Sequence, residues 1–227
     1  MTGLGALILA SAGFVGTHFA MSHPLRTALV RMFGNRGFAL VYSAVSIVLL
    51  WAMSRFYGPA MAEAPQPYWD AGQAGWIIAT ILMWGGSILF VGSLRRNPAF
   101  PNPGRPVTSI GAARGVFSIT RHPMMWGFAI WALVHAIVLP LAASLVVSAA
   151  IAILALGGAA GQDAKKARLV GDPWREWMRR TSFVPFGRGF ASPGGFALIG
   201  GTLLWLAATW GHGALGYRPA GIWALVA

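Results

Sequence analysis

Cysteine does not occur in the 227 residues of this chain. Its absence excludes disulfides, thiolate metal sites, iron–sulfur clusters, cysteine nucleophiles and a covalently attached c-type haem. Charge is scarce as well. Only 10% of the residues are Asp, Glu, Lys or Arg, against about 25% in soluble domains, which sets the chain outside the soluble class. Five side-chain carboxylates are present, none of them inside an apolar run. Metal chemistry would have to draw on those few acids and on five histidines.

What fills the sequence instead is apolar: 56% of residues are hydrophobic and the mean hydropathy is +0.63. Because the hydrocarbon layer of a bilayer is about 30 Å thick, runs of roughly 17 to 25 apolar residues mark spanning helices. Such runs extend from Gly3 to Met21, Gly37 to Tyr57, Gly75 to Leu94, Met124 to Leu139, Leu141 to Gly161 and Gly195 to Gly211. The pattern predicts an all-α fold, a polytopic bundle of about six transmembrane helices forming one domain over residues 1–227. Pro140 divides the fourth run from the fifth and predicts a tight helical hairpin, since one helix across both would be too long for a single span. The first run has no basic residue before it and three arginines after it, the reverse of a secretory signal peptide, and is expected to stay as a membrane helix.

The net charge of +12 would suggest nucleic acid if the bases were clustered on a soluble surface. Here they lie between apolar runs, which favours anionic lipid at the inner leaflet and no nucleic acid. Arg26, Arg31 and Arg36 follow the first run. Arg95, Arg96, Arg105, Arg114 and Arg121 follow the third, and Lys165, Lys166, Arg168, Arg175, Arg179, Arg180 and Arg188 follow the fifth. By the positive-inside rule the loops at about 22–36, 95–121 and 162–194 are cytoplasmic, and both termini face the periplasm of a bacterial inner membrane. Two of these loops have further character. Asn97 to Thr108 carries four prolines and is expected to be extended and irregular. Asp163 to Arg180 alternates bases with Leu169, Val170, Trp174, Trp177 and Met178, the pattern of an amphipathic segment on a membrane surface.

Ionisable groups in or near a spanning helix are costly and usually have a partner or a task. His18 lies near the end of the first run with His23 just beyond it. His122 opens the fourth run, with Pro123 at a first-turn position; His135 lies thirteen residues further on and His212 closes the sixth. A helix rises about 1.5 Å per residue, so His135 stands about 20 Å beyond His122 on a nearly opposite face, and the two cannot ligate one iron. A bis-histidine haem needs imidazoles from two helices. By depth, the candidate pairings are His18 or His23 with His122, and His135 with His212.

The stretches His18-Phe19 with Ser22-His23-Pro24-Leu25-Arg26, Arg121-His122-Pro123-Met124 with Gly127, and Trp131-Ala132 with His135, together with Tyr42-Ser43 and Trp174 to Pro185, resemble the NnrU family of integral membrane proteins. The resemblance implies a role in nitric oxide metabolism during denitrification. The family is in turn similar to plant ζ-carotene isomerase, a membrane enzyme that uses histidine-ligated haem b to isomerise a cis double bond. Through that similarity His18 and His122 would be the iron ligands of a haem b, and a thiolate alternative is excluded by the missing cysteine; Arg121, next to His122, is placed to pair with a propionate, and His23, at the same depth as His18, is a further cofactor-binding candidate. Arg121 to Met124 and Asp163 to Pro185 are also similar to membrane isoprenylcysteine and phospholipid methyltransferases, although Gln162-Asp163 stands where those enzymes carry a glutamate pair. Three function classes follow: a haem-dependent isomerase or nitric oxide component acting on a small apolar molecule, a methyltransferase, and a non-catalytic assembly factor.

Overall fold

The computed structural model describes residues 2–100 and 109–223. Among these residues eight helices follow in order: α1 (Gly3–Ser22), α2 (Arg26–Glu63), α3 (Gly72–Ser93), α4 (Val116–Ile119), α5 (Pro123–Val138), α6 (Ala142–Leu169), α7 (Asp172–Arg180) and α8 (Gly195–Ala214). No strand forms among the described residues. Four helices, α1, α2, α3 and α6, are long and apolar enough to cross a bilayer; α5 is a shorter apolar helix, and α8 covers the sixth apolar run. The chain is therefore an all-α, multi-pass membrane protein. Large apolar side chains such as Ile47, Leu50, Ile81, Ile199 and Leu203 stay exposed on these helices, as lipid-facing surfaces require.

The helices depart from the sequence pattern at their ends. Residues 22–36 were expected as a loop, yet from Arg26 onward they are helical, because Leu, Met, Ala and Arg are strong helix formers. The connection is reduced to a turn at 23–25 and a kink at Gly34, whose φ of 68° is a left-handed conformation that glycine adopts without strain. α6 runs eight residues past Gly161. Its 28 residues make about 42 Å of helix, more than the hydrocarbon layer holds, so its last turns emerge from it. Asn97 to Phe100 forms a turn, closed by Ala99 N–H donating to Asn97 Oδ1 at 2.9 Å; the remainder of the proline-rich stretch, 101–108, lies outside the described residues.

The chain divides into two compact units. The first comprises Met1–Ala71 and His135–Gly158. Here α1 packs along α2, and Leu7, Ala10, Phe14, Met53, Ala60, Ala143 and Ala150 form its core. The small residues permit close approach: a Cβ on Gly3 would meet the Pro59 backbone at 2.8 Å. Glu63 Oε2 accepts the Leu4 N–H at 2.9 Å, and Thr2 Oγ1 accepts the Gly5 N–H at 3.1 Å, so two N–H groups left open at the start of α1 are capped.

The second unit comprises Gly72–Val134 and Ala159–Ala227. Its core gathers Ile88, Leu89, Val116, Phe117, Ile119, Trp174, Trp177 and Ala197. The apolar side of α7 is thus covered by protein, not presented to lipid as the alternating pattern suggested. A sequence pattern shows that one side of a helix must be buried but not against what. Burial of the two α7 tryptophans contributes roughly 3–6 kcal/mol.

α3 packs on α8 through Gly201. A Cβ there would lie 2.4 Å from Ile88 Cα, so Gly201→Ala forces the two backbones apart. It should destabilise the protein by about 1–3 kcal/mol, read as a lower thermal midpoint in detergent. Gly211→Ala on the same helix, where a Cβ meets open space, should be neutral or stabilising by up to about 1 kcal/mol. Equal effects from the two changes would refute the close contact.

Candidate functional site

Local sequence sets the backbone that carries Arg121 and His122. α4 ends at Thr120, which is extended (φ −153°, ψ 148°), and Pro123 disfavours helical backbone at His122 while fitting the first turn of α5. The extended segment pairs with the chain after α7. Arg121 N–H donates to Ser182 O at 2.8 Å, Phe186 N–H donates to Ile119 O at 2.9 Å, and Thr120 Oγ1 donates to Phe183 O at 2.7 Å. Trp126 Nε1–H adds a second donor to Phe183 O at 2.8 Å.

This clasp holds an ionic centre. Arg121 Nε and Nη2 each lie 2.7 Å from Asp163 Oδ2. Trp174 Nε1–H donates to Asp163 Oδ1 at 3.2 Å, and His122 Nε2 lies 3.0 Å from the same oxygen. The His122 ring N–H is not aligned on that oxygen, so the contact is one of charge and dipole, not a directed hydrogen bond. Phe183 closes the centre, its ring 5.3 Å from the imidazole of His122 and 5.4 Å from the Arg121 guanidinium carbon. The side chains of His122, Asp163 and Arg121 are 1%, 7% and 11% exposed. Burial at that level is tolerable because each charge has an opposite partner at contact distance. His122 opens α5 and Asp163 sits near the end of α6, so their meeting requires the reversal of direction expected at Pro140.

A second constellation lies in the first unit. His18 Nδ1 is 2.7 Å from Phe14 O, one turn back on α1, and His18 Nε2 is 3.2 Å from Ser46 Oγ on α2. Ser46 also donates to Tyr42 O at 2.7 Å. The imidazole packs against Phe14 at 4.3 Å and edge-on to Tyr42 at 5.1 Å between ring centres. His23 ends α1, its backbone N–H bonded to Phe19 O and its ring stacked on Phe19.

The site residues expected from sequence are therefore divided: His18 and His23 belong to the first unit, Arg121 and His122 to the second. His135 belongs to the first and His212 to the second. Among the described residues, no cluster of three or more His, Cys, Asp or Glu is arranged to hold a metal ion. A family model for the NnrU protein matches residues 6–219, nearly the whole chain. The chain belongs to the NnrU family. No curated protein and no solved structure matches it.

Within this NnrU-family chain, Asp163 was not anticipated as the partner of Arg121 and His122. Followed by Lys165, Lys166 and Arg168, it reads as part of a solvated loop; the extra turns of α6 bury it. A signal was nonetheless present, since Asp163 is the carboxylate nearest an apolar run that ends level with the start of α5. Ser46 gave no signal, because a serine in an apolar helix commonly bonds its own i−4 carbonyl, as this one also does.

The two histidines can be tested against a haem. A metal-bound imidazole usually donates its other N–H to a carbonyl or carboxylate, which sets the tautomer. His18 meets that condition through Phe14 O, leaving Nε2 as the nitrogen with a lone pair. Ser46 has one hydroxyl proton, which either Nε2 or Tyr42 O can accept, so drawing Nε2 away from Ser46 leaves the hydroxyl an acceptor. His122 has a carboxylate at Nε2, which leaves Nδ1 for a ligand, but its ring is closed over by Phe183 and neighbouring atoms. The residues would fit a haem at His18 once Nε2 leaves Ser46, and at His122 only if that ring is uncovered.

Proposed function

We propose that this protein binds haem b and acts on a small apolar molecule within the membrane, either as a ζ-carotene-isomerase-like cis/trans isomerase or in nitric oxide handling. The observation that carries the reading is the fixed tautomer of His18, with Nδ1 bound to Phe14 O and Nε2 directed at a hydroxyl that has another acceptor. His122 is the proposed second ligand through Nδ1, and Arg121, whose Nη1 also donates to Thr181 O at 3.4 Å, would have a remaining Nη1–H for a propionate. Haem b, when bound, would supply an iron centre able to take a diatomic gas or to act on a polyene double bond. The protein's own part is to orient His18, to keep its ring among Phe14 and Tyr42, and to exclude water. Against the methyltransferase reading stands Asp163, whose two oxygens are already taken by Arg121, Trp174 and His122.

The deciding measurement is the absorption spectrum of protein purified from cells grown with ample haem precursor. A Soret band, low-spin visible bands and a pyridine haemochrome of haem b are expected; their absence would remove the haem reading. Given haem, turnover of a cis-polyene, or a shift of the Soret band with nitric oxide, separates the two uses.

The proposed placement is a bacterial inner membrane with both termini periplasmic. Because the chain has no cysteine, single cysteines report topology directly. Gln66→Cys and Leu215→Cys should react with an impermeant thiol reagent in intact cells, whereas Leu169→Cys should react only after permeabilisation. Labelling at position 169 from outside would reverse the orientation.

A further inference from the structure

The second unit contains an open cavity of about 620 Å³, within the range that holds a small organic ligand. It lies at the end of α3 and the start of α8. Arg95, Arg96 and Arg114 line it together with Trp177, Phe196 and Gly194. The three arginines are exposed, and among the described residues no carboxylate of the unit pairs with them. Its three side-chain carboxylates are engaged elsewhere: Asp163 with Arg121 and His122, Asp172 with Arg175, and Glu176 with Arg179 and Arg180.

The wall and the backbone of the cavity add to this charge. Trp177 is 2% exposed and contributes an edge of its ring to the wall, its indole Nε1 being shut off from solvent. The start of α8, a helix of 20 residues, has no side-chain cap at Gly194 and opens onto the cavity, so its free N–H groups add the positive end of a helix dipole. The remaining lining is apolar: Phe196 is half exposed and carries Arg95 over its ring at 5.7 Å. Arg96 holds a left-handed backbone (φ 55°), uncommon for a residue with a side chain, and both consecutive arginines reach the cavity.

We propose that this cavity binds a phosphate group, with the arginines and the α8 N-terminus as donors. Its size and the apolar wall favour the phosphate of an anionic phospholipid. The position agrees: Arg95 and Arg96 directly follow the apolar α3, at the level where lipid headgroups lie.

The test uses the full chain in neutral detergent with three probes: dihexanoyl phosphatidylglycerol, dihexanoyl phosphatidylcholine and inorganic phosphate. Calorimetry should show saturable binding of phosphatidylglycerol and none of phosphatidylcholine. Each arginine is worth roughly fivefold, so the variant with Arg95, Arg96 and Arg114 all changed to Gln should bind about a hundredfold more weakly. A variant with Arg31, Arg36 and Arg168 changed to Gln, which removes equal charge elsewhere, should bind as the wild type does. One indole N–H resonance, the one missing in Trp177→Phe, should move on titration, and this readout stands even if the triple variant fails to fold. Inorganic phosphate binding as tightly as the lipid would uphold the phosphate site and assign a free anion as its source. Equal binding of phosphatidylcholine, undiminished binding by the triple variant, or no saturable binding and no indole shift would overturn the proposal.

Discussion

Asp163→Leu is expected to be the most destabilising single change in the second unit. It leaves the Arg121 guanidinium and the His122 ring buried against Phe183 with no opposing charge, and it removes the acceptor of the Trp174 indole. Breaking a buried ion pair from one side costs about 3–5 kcal/mol, which should lower the thermal midpoint in detergent by roughly 10 °C for a chain of this size. The matching change at the other end separates this cause from lost packing. Because the cost lies in the uncompensated charge, Arg121→Met combined with Asp163→Leu should recover part of the loss. A double variant that is less stable than Asp163→Leu alone would show that the pair acts through shape and not through charge.

The second large effect concerns the proposed haem. His18→Ala should abolish the low-spin spectrum, since it deletes the imidazole whose tautomer is fixed by Phe14 O. His122→Ala should do the same if both rings ligate one iron, whereas His135→Ala should leave the spectrum intact. Asp163→Asn gives an independent readout. A carboxylate on the far nitrogen raises the basicity of a metal-bound imidazole, so its neutral replacement should shift the absorption and the redox potential if His122 is a ligand. Loss of haem in His18→Ala with none in His122→Ala would confine ligation to the first unit. Damage from His135→Ala and His212→Ala instead would move the haem to that pair.

Much of the helical layout was legible because apolar run length is dictated by bilayer thickness. Each of the six runs overlaps a helix, and the break at Pro140 falls between α5 and α6 as proline chemistry requires. The ends were less legible. Run length reports where the hydrocarbon stops, not where hydrogen bonding along a helix stops, so neither the eight-residue extension of α6 nor the helix through Arg26 and Arg31 shows in hydropathy. The candidate site divides in the same manner. Arg121 and His122 stand out as polar residues at the mouth of an apolar run. Asp163 becomes visible only when the extension of α6 is known, and Trp174 and Phe183 only when α7 and the segment after it fold back.

The contact of Gly201 with the Ile88 backbone carries a consequence for how the protein is made. α3 and α8 are separated by more than a hundred residues, so a ribosome releases α3 long before its partner exists. Until then the surface around Ile88 faces lipid or a chaperone, and the Trp84 indole, which in the finished protein donates to Thr202 at 2.9 Å, has no Thr202 to bond. The two helices can meet only once synthesis is almost complete. A chain truncated anywhere before Gly195 would therefore display an unfilled helix face in the bilayer, the kind of lesion that membrane proteases recognise, and its short lifetime would be set by the last helix to emerge.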